Sequence, residues 1–265
     1  MSTPGGATGG GGPGGAVTPG GGSTLPVHHG KTARQILKLN WNYPVFKVKL
    51  DRTTEGTIAT AAESALPENE AFQYLSGDDR RPMLVLRECK TCNGTDNALL
   101  SSAEDNARTF VMSRWFNCIK LPTQVLEANY PFHALFDEEH PPHLFLCKWD
   151  GSEPVTLKGD QSRTELWDSM QQMLSRYYLA DAKDAVAEIE KILAQYDVLD
   201  ARIERIREQT EKVAEDEGLK SKKLKSLQKD LAKARADLEK LKRREAIISD
   251  LGLKQEEAQA SPAGA

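Results

Sequence analysis

The chain has 265 residues, 39% of them hydrophobic and 28% charged, with a formal net charge of −4; this suits one ordinary globular domain joined to a more polar module. The negative balance gives no overall affinity for nucleic acid, and no run approaches the ~20 consecutive apolar residues of a membrane span. Residues 1–22 hold neither a basic side chain nor a continuous apolar stretch, so no secretory leader is expected. The expected setting is cytoplasmic, with the four cysteines mostly reduced.

Twelve of the twenty glycines fall in the first thirty residues, a stretch without Lys, Arg, Asp or Glu. It cannot bury a core, so residues 1–30 are expected as a disordered tail, with His28 and His29 solvated. Fold reasoning starts at Lys31. Residues 45–50 alternate as a half-buried strand with Pro44 at its start. Residues 57–76 read as a helix broken at Pro67, placing Ala71, Phe72 and Leu75 on one buried face. Residues 83–86, Met-Leu-Val-Leu, form a continuous apolar run, as in a central strand covered on both faces. Cys89-Lys90-Thr91-Cys92 follows two residues later, and Asn93 or Thr95 can cap a helix through Ala98, Leu99 and Leu100.

Further along, residues 110–116 read as a strand and residues 125–136 as a helix interrupted at Pro131. Residues 143–149 form a strand that the Asp150-Gly151 turn returns through residues 155–157. Residues 163–174 complete the unit as an amphipathic helix. Strands alternating with helices and ending in a hairpin and a helix describe an α/β sandwich over residues 31–178.

From Ala182 onward the pattern changes to a coiled-coil seam. Ala182, Ala185, Ile189, Ile192, Tyr196, Leu199, Ile203, Ile206, Thr210 and Val213 follow three-four spacing. A second seam runs through Leu224, Leu227, Leu231, Ala234, Leu238, Leu241 and Ile248, interrupted at Glu245. Gly218 separates two arms of similar length, which predicts an antiparallel hairpin over residues 179–250, with residues 251–265 a loose tail. Residues 181–217 carry 12 acidic and 6 basic side chains, and residues 218–250 carry 5 and 11, so the arms attract along their flanks. The same offset argues for a solvated face over a nucleic-acid patch at Lys220–Lys223 and Lys240–Arg244. No glycine or proline separates Leu174, Tyr177 and Tyr178 from Ala182, so the first arm is expected to continue from the preceding helix and project rigidly.

The apolar strand ending in a cysteine pair, the helix behind it, Pro142 before a hairpin, and the residue 151–159 hairpin leading to Leu166 stand in one order. In that order residues 40–178 resemble the thioredoxin family. The resemblance implies a thioredoxin-like α/β sandwich carrying a C-terminal antiparallel coiled-coil hairpin, with Pro142 as a cis-proline facing the cysteines. It also implies thiol–disulfide exchange in which Cys89 attacks and Cys92 resolves, helped by the positive end of a helix. Only Arg87 and Glu88 separate the apolar run from Cys89, fewer residues than the family usually has there. In the family's usual register Cys92 becomes the nucleophile, Thr95 takes the resolving position, and Cys89 is an alternative resolver. Two other readings stand beside exchange. The pair could be half of a zinc site completed from Cys118, Cys147, His133, His140 and His143, although Cys118 and Cys147 fit buried strand positions. The domain could instead bind without catalysis, as an adaptor positioned by its coiled coil. No cofactor is expected, and the expected partners are proteins, by disulfide substrate, coiled-coil pairing or self-association, with no nucleic acid and no membrane.

Overall fold

A computed structural model of the chain describes residues 29–46, 64–88, 96–102, 105–136, 143–157 and 160–254. Strands β1 (Met83–Arg87), β2 (Asn117–Leu121), β3 (Leu144–Cys147) and β4 (Val155–Leu157) form one mixed sheet in spatial order β2-β1-β3-β4. β1 and β2 run parallel, with Met83 opposite Asn117 and Arg87 opposite Leu121. β3 is antiparallel to both β1 and β4. Outside β2, Asn42 adds a single parallel bridge. Its N–H donates to the Cys118 carbonyl at 2.8 Å, and its carbonyl accepts from the Lys120 N–H at 2.9 Å.

The apolar run of β1 is buried because the sheet is covered on both faces. Leu84 and Leu86 enter one core with α3 (Ala107–Ser113), α4 (Arg163–Tyr177) and α5 (Ala182–Glu217). Met83 and Val85, pointing the other way, enter a second core with α2 (Glu68–Ser76). Each such side chain contributes roughly 1.5–3 kcal/mol on leaving water. Ala71, Phe72 and Leu75 form the buried face of α2, as its spacing predicts. The β3–β4 hairpin turns at Gly151, where φ is +85° and an added Cβ would stand 2.1 Å from the Phe72 ring. A side chain there is excluded both by conformation and by space.

Three local expectations are corrected. Residues 107–113 are helical, so the apolar stretch from Phe110 is α3 rather than a strand. Ala107 and Val111, four apart, both reach the core, while the Asp105 carboxylate accepts the Ala107 N–H at 2.9 Å at the helix start. The strand comes later, at residues 117–121, where Asn117 and Lys120 mask its pattern. Around Ala98 and Leu99 the chain makes one turn about Asp96, whose carboxylate accepts both N–H groups, and not a helix. Thr123–Leu126 and His133–Phe136 are two short 3-10 helices in place of one α-helix. The strand expected at residues 45–50 lies mostly outside the described residues; among those described, the sheet contact near the amino terminus is made by Asn42, before Pro44, and Val45 is 72% exposed.

α5 does not continue from α4. Tyr178 takes an extended conformation (φ −115°, ψ 150°) without any help from glycine or proline. Its hydroxyl donates to the Trp115 carbonyl at 2.7 Å, and the Leu179 and Ala180 N–H groups pair with the Gly252 and Leu251 carbonyls at 2.8 and 3.0 Å. Asp181 then caps α5 by accepting the Lys183 N–H. The first half of α5 is not a free arm: Ala185, Ile189, Ile192 and Tyr196 share the core of the sheet. Beyond it, Ile203 and Ile206 meet Ala234 of α6 (Lys222–Ser249), flanked by half-buried Leu227, Leu231 and Leu238. The two long helices, about 54 and 42 Å at 1.5 Å per residue, pack along each other on either side of the Gly218 link. The chain is thus an α/β structure with a pair of long carboxyl-terminal helices.

Candidate functional site

Cys89, Cys92, Thr95 and Pro142 lie outside the described residues. The structure does define where the chain leaves and rejoins the sheet on either side of them. The Arg87 N–H donates to the His143 carbonyl at 2.9 Å, and the Glu88 N–H to the Leu121 carbonyl at 2.7 Å. The residue before Cys89 and the residue after Pro142 therefore belong to the same end of the sheet, the first just past the end of β1 and the second just before the start of its neighbour β3. Lys120 from β2 reaches this end and pairs with the Glu88 carboxylate at 3.2 Å.

A groove opens beside that pair. Tyr43, Pro44, Val45 and Phe46 form one wall and Pro122, Tyr130 and Pro131 the other, around Glu88 and Lys120, enclosing about 340 Å³. The walls rest on an aromatic cluster in which Phe132 contacts Phe46, Tyr74 and Tyr130 at centroid distances of 5.6–6.4 Å. The Tyr74 hydroxyl also donates to the Val45 carbonyl at 2.8 Å. These residues come from four separated stretches of chain, and the sequence contained no signal joining them.

The two described cysteines are poor nucleophiles. Cys118 in β2 and Cys147 in β3 are buried and free. Burial pushes the Cys118 thiol up to about 12, and burial, with the nearby Asp150, raises the Cys147 thiol as well. Both occupy core positions, as their strand setting predicts. Among the described residues no group of His, Cys, Asp and Glu could hold a metal ion. His133 instead lies 3.2 Å from the Val125 carbonyl through Nδ1.

His29 is ordered and mostly buried, which corrects its expected solvation. Its Nδ1 lies 2.9 Å from the Asp197 carboxylate of α5. The Gly30 N–H donates to the same carboxylate at 2.6 Å, and Thr32 donates its N–H and its hydroxyl to Asp200 at 2.7 and 2.8 Å. Gly30 is needed for this approach, since an added Cβ would stand 2.7 Å from the Asp200 carboxylate. Asp197 and Asp200, three apart on one helix face, thus fasten residues 29–32, and the chain then runs through Ala33 and Asn42 to the groove wall. Glu245, which interrupts the second seam, is buried against Arg114 at 2.5 Å and accepts from the Ser249 hydroxyl at 2.8 Å. Arg244 pairs with Glu188 across the two long helices.

Comparison of the chain with family models, curated proteins and solved structures finds no match. Among the described residues no helix is long and apolar enough to cross a membrane.

Proposed function

We propose that the chain is a thioredoxin-like thiol–disulfide exchange protein acting through Cys89 and Cys92, with its long helices serving as an antiparallel coiled-coil docking arm. The observation that carries this reading is the sheet. A central strand, β1, flanked by parallel β2 and antiparallel β3, leads at its carboxyl end straight to the cysteine pair. The hydrogen bond from Arg87 to the His143 carbonyl supports it further, because Pro142 immediately precedes that partner. The parallel contact of Asn42 outside β2 extends the same architecture by one position.

In the reaction, one cysteine thiolate attacks a sulfur of the substrate disulfide. A mixed disulfide forms and the other substrate sulfur leaves as a thiolate that takes up a proton. A second thiolate then attacks the protein's sulfur in the mixed disulfide, releases the substrate as a dithiol and leaves the protein oxidised. An external dithiol restores it. Cys118 and Cys147 are excluded as the second thiol by burial, so resolution falls to the remaining member of the Cys89–Cys92 pair or to a thiol from outside. Purified protein should reduce a model protein disulfide with dithiothreitol as electron source. Cys92→Ser should abolish turnover, and Cys89→Ser should trap a mixed disulfide on Cys92 if Cys92 attacks first. Wild-type inactivity, or full activity of Cys92→Ser, refutes the assignment.

The non-enzymatic adaptor reading has its own support in the outer half of the helix pair, which extends past the body and leaves Leu227, Leu231 and Leu238 half-buried. Removing the whole pair is not a fair test, because it takes Ile189, Ile192 and Tyr196 from the core. Replacing residues 208–231 with a short glycine-serine turn spares them. Loss of partner capture with exchange activity retained would separate the two roles.

A further inference from the structure

We propose that the outer face of α6 is a docking surface for an anionic lipid bilayer. At about 100° per residue around the helix, the arc centred on Lys229 holds Lys222, Lys225, Lys229, Lys233, Lys240 and Arg243, with Ala236 and Ile247 completing it. This arc lies opposite the buried Leu224, Ala234 and Leu241, contains no acidic residue, and is exposed at every position. Its cations form a straight row about 32 Å long at 1.5 Å per residue. Lys223, Lys242 and Arg244, outside the arc, are paired with Glu217, Glu239 and Glu188. Among the described residues no cation of the row has an ion pair.

The sequence alone predicts a solvated face here, because the acidic α5 offsets the field of α6. Packing removes that offset. Glu204, Glu208 and Glu215 lie on the face of α5 that points away from Ile203, Ile206 and Val213, as the row on α6 points away from its own seam. With helix axes ~8–10 Å apart and each helix ~10–12 Å wide, the two outer faces stand about 20 Å from each other. That is more than twice the Debye length of ~8 Å at physiological ionic strength. The row therefore presents its own positive potential to whatever approaches α6.

The shape of the row selects the partner. A flat anionic surface meets all of a straight row at once, and each cation near such a leaflet raises the partition about fivefold, from about 1 kcal/mol at 1.4 kcal/mol per tenfold. A second copy of the chain offers Glu204, Glu208 and Glu215, but Glu204 is already paired with Arg207, and exposed pairs contribute little against the entropy of association. The cylinder of a nucleic-acid duplex curves away from a straight row, and the arc carries no aromatic side chain on which the bases of a single strand would stack. Exposed aliphatic side chains stand at both ends instead. Ile247, in the arc itself, is 76% exposed, and Leu219, in the turn before α6, is 81% exposed. Such groups enter the acyl boundary of a bilayer and add nothing to a phosphate contact.

The test uses the full chain and two sets of vesicles, one of phosphatidylcholine and phosphatidylglycerol in equal parts and one of phosphatidylcholine alone, with co-sedimentation as the readout. The protein should sediment with the anionic vesicles only, and less of it as salt is raised. Replacing Lys225, Lys229 and Lys233 together by glutamine should lower the partition roughly 100-fold, with the far-ultraviolet circular dichroism unchanged because glutamine keeps the helix propensity of lysine. The control triple Lys183→Gln, Lys191→Gln and Lys212→Gln makes the same change in net charge on α5 and should lower the partition by less than about tenfold. No binding to the anionic vesicles, equal binding to both sets, or equal loss in the two triple variants overturns the proposal. Binding of a random-sequence DNA duplex without binding of vesicles also overturns it, and assigns the row to nucleic acid.

Discussion

Replacing Glu245 with leucine separates two accounts of α6. If that helix served the seam alone, leucine would mend the interruption in its heptad pattern and stabilise the protein by about 1 kcal/mol through apolar burial. The structure predicts the opposite sign. Glu245 is 7% exposed and accepts from Arg114 Nη1 at 2.5 Å and from the Ser249 hydroxyl at 2.8 Å. Losing a bond to a charged donor costs about 1.5–3 kcal/mol and losing a neutral one about 1 kcal/mol. Arg114, with 26% of its side chain exposed, keeps some water, which holds the cost of orphaning it below that of a fully buried charge. Setting these losses against the apolar gain leaves Glu245→Leu destabilising by about 2 kcal/mol, a fall in Tm of roughly 4–8 °C for a chain of this size. Urea denaturation of the wild type, Arg114→Met, Glu245→Leu and the double variant gives the coupling directly. The double variant should recover most of the loss, since it leaves no unpaired charge. A stabilised Glu245→Leu, or a coupling near zero, refutes the assignment of Glu245 to Arg114.

The fastening of residues 29–32 predicts that Asp200→Ala and Gly30→Ala each cost about 1–2 kcal/mol and accelerate hydrogen exchange at the Gly30 and Thr32 amides; unchanged exchange rates would count against the contact. The buried thiols predict that iodoacetamide at about pH 8 leaves Cys118 and Cys147 unmodified in the folded chain and alkylates them in denaturant; peptide mass spectrometry reads each site, and native labelling of Cys118 at a free-thiol rate contradicts its burial. Burial raises Cys118 from 9.0 to about 12 and Tyr196 from 10.0 to about 12, so the folded state holds these protons more tightly than the unfolded one. That stabilisation is fully present below about pH 9 and is lost as pH climbs towards 12, at ~1.4 kcal/mol per pH unit for each group inside its own window. The urea midpoint should therefore fall steeply above pH 9, less so in Cys118→Ala; a flat midpoint in the wild type would refute it.

Much of the secondary structure was legible because its causes are local. The continuous apolar run of β1, the turn at Gly151, the three-four spacing of α2 and α4, and the stop at Gly218 are each decided within a few residues. The cysteine pair was visible in the same way, as a motif at a strand's end. The errors fall where local preference is weak or divided. Residues 107–113 and 117–121 carry apolar groups that suit either conformation, and the neighbouring core, not the pattern, assigned the helix to the first and the strand to the second. The break between α4 and α5 has no glycine or proline to announce it; the bonds of Tyr178 to Trp115 and of Leu179 and Ala180 to the chain's return segment hold it open.

By itself, then, the sequence determined the α/β class of the body, the two long helices and the position of the cysteines, since periodicity and turn chemistry act over short distances. Tertiary structure alone decided the strand order, the fastening of His29 to Asp197, the pairing of Glu245 with Arg114, and the groove beside Glu88. Each of these joins residues tens to more than a hundred positions apart, and such contacts depend on how whole elements pack, which no window along the chain contains.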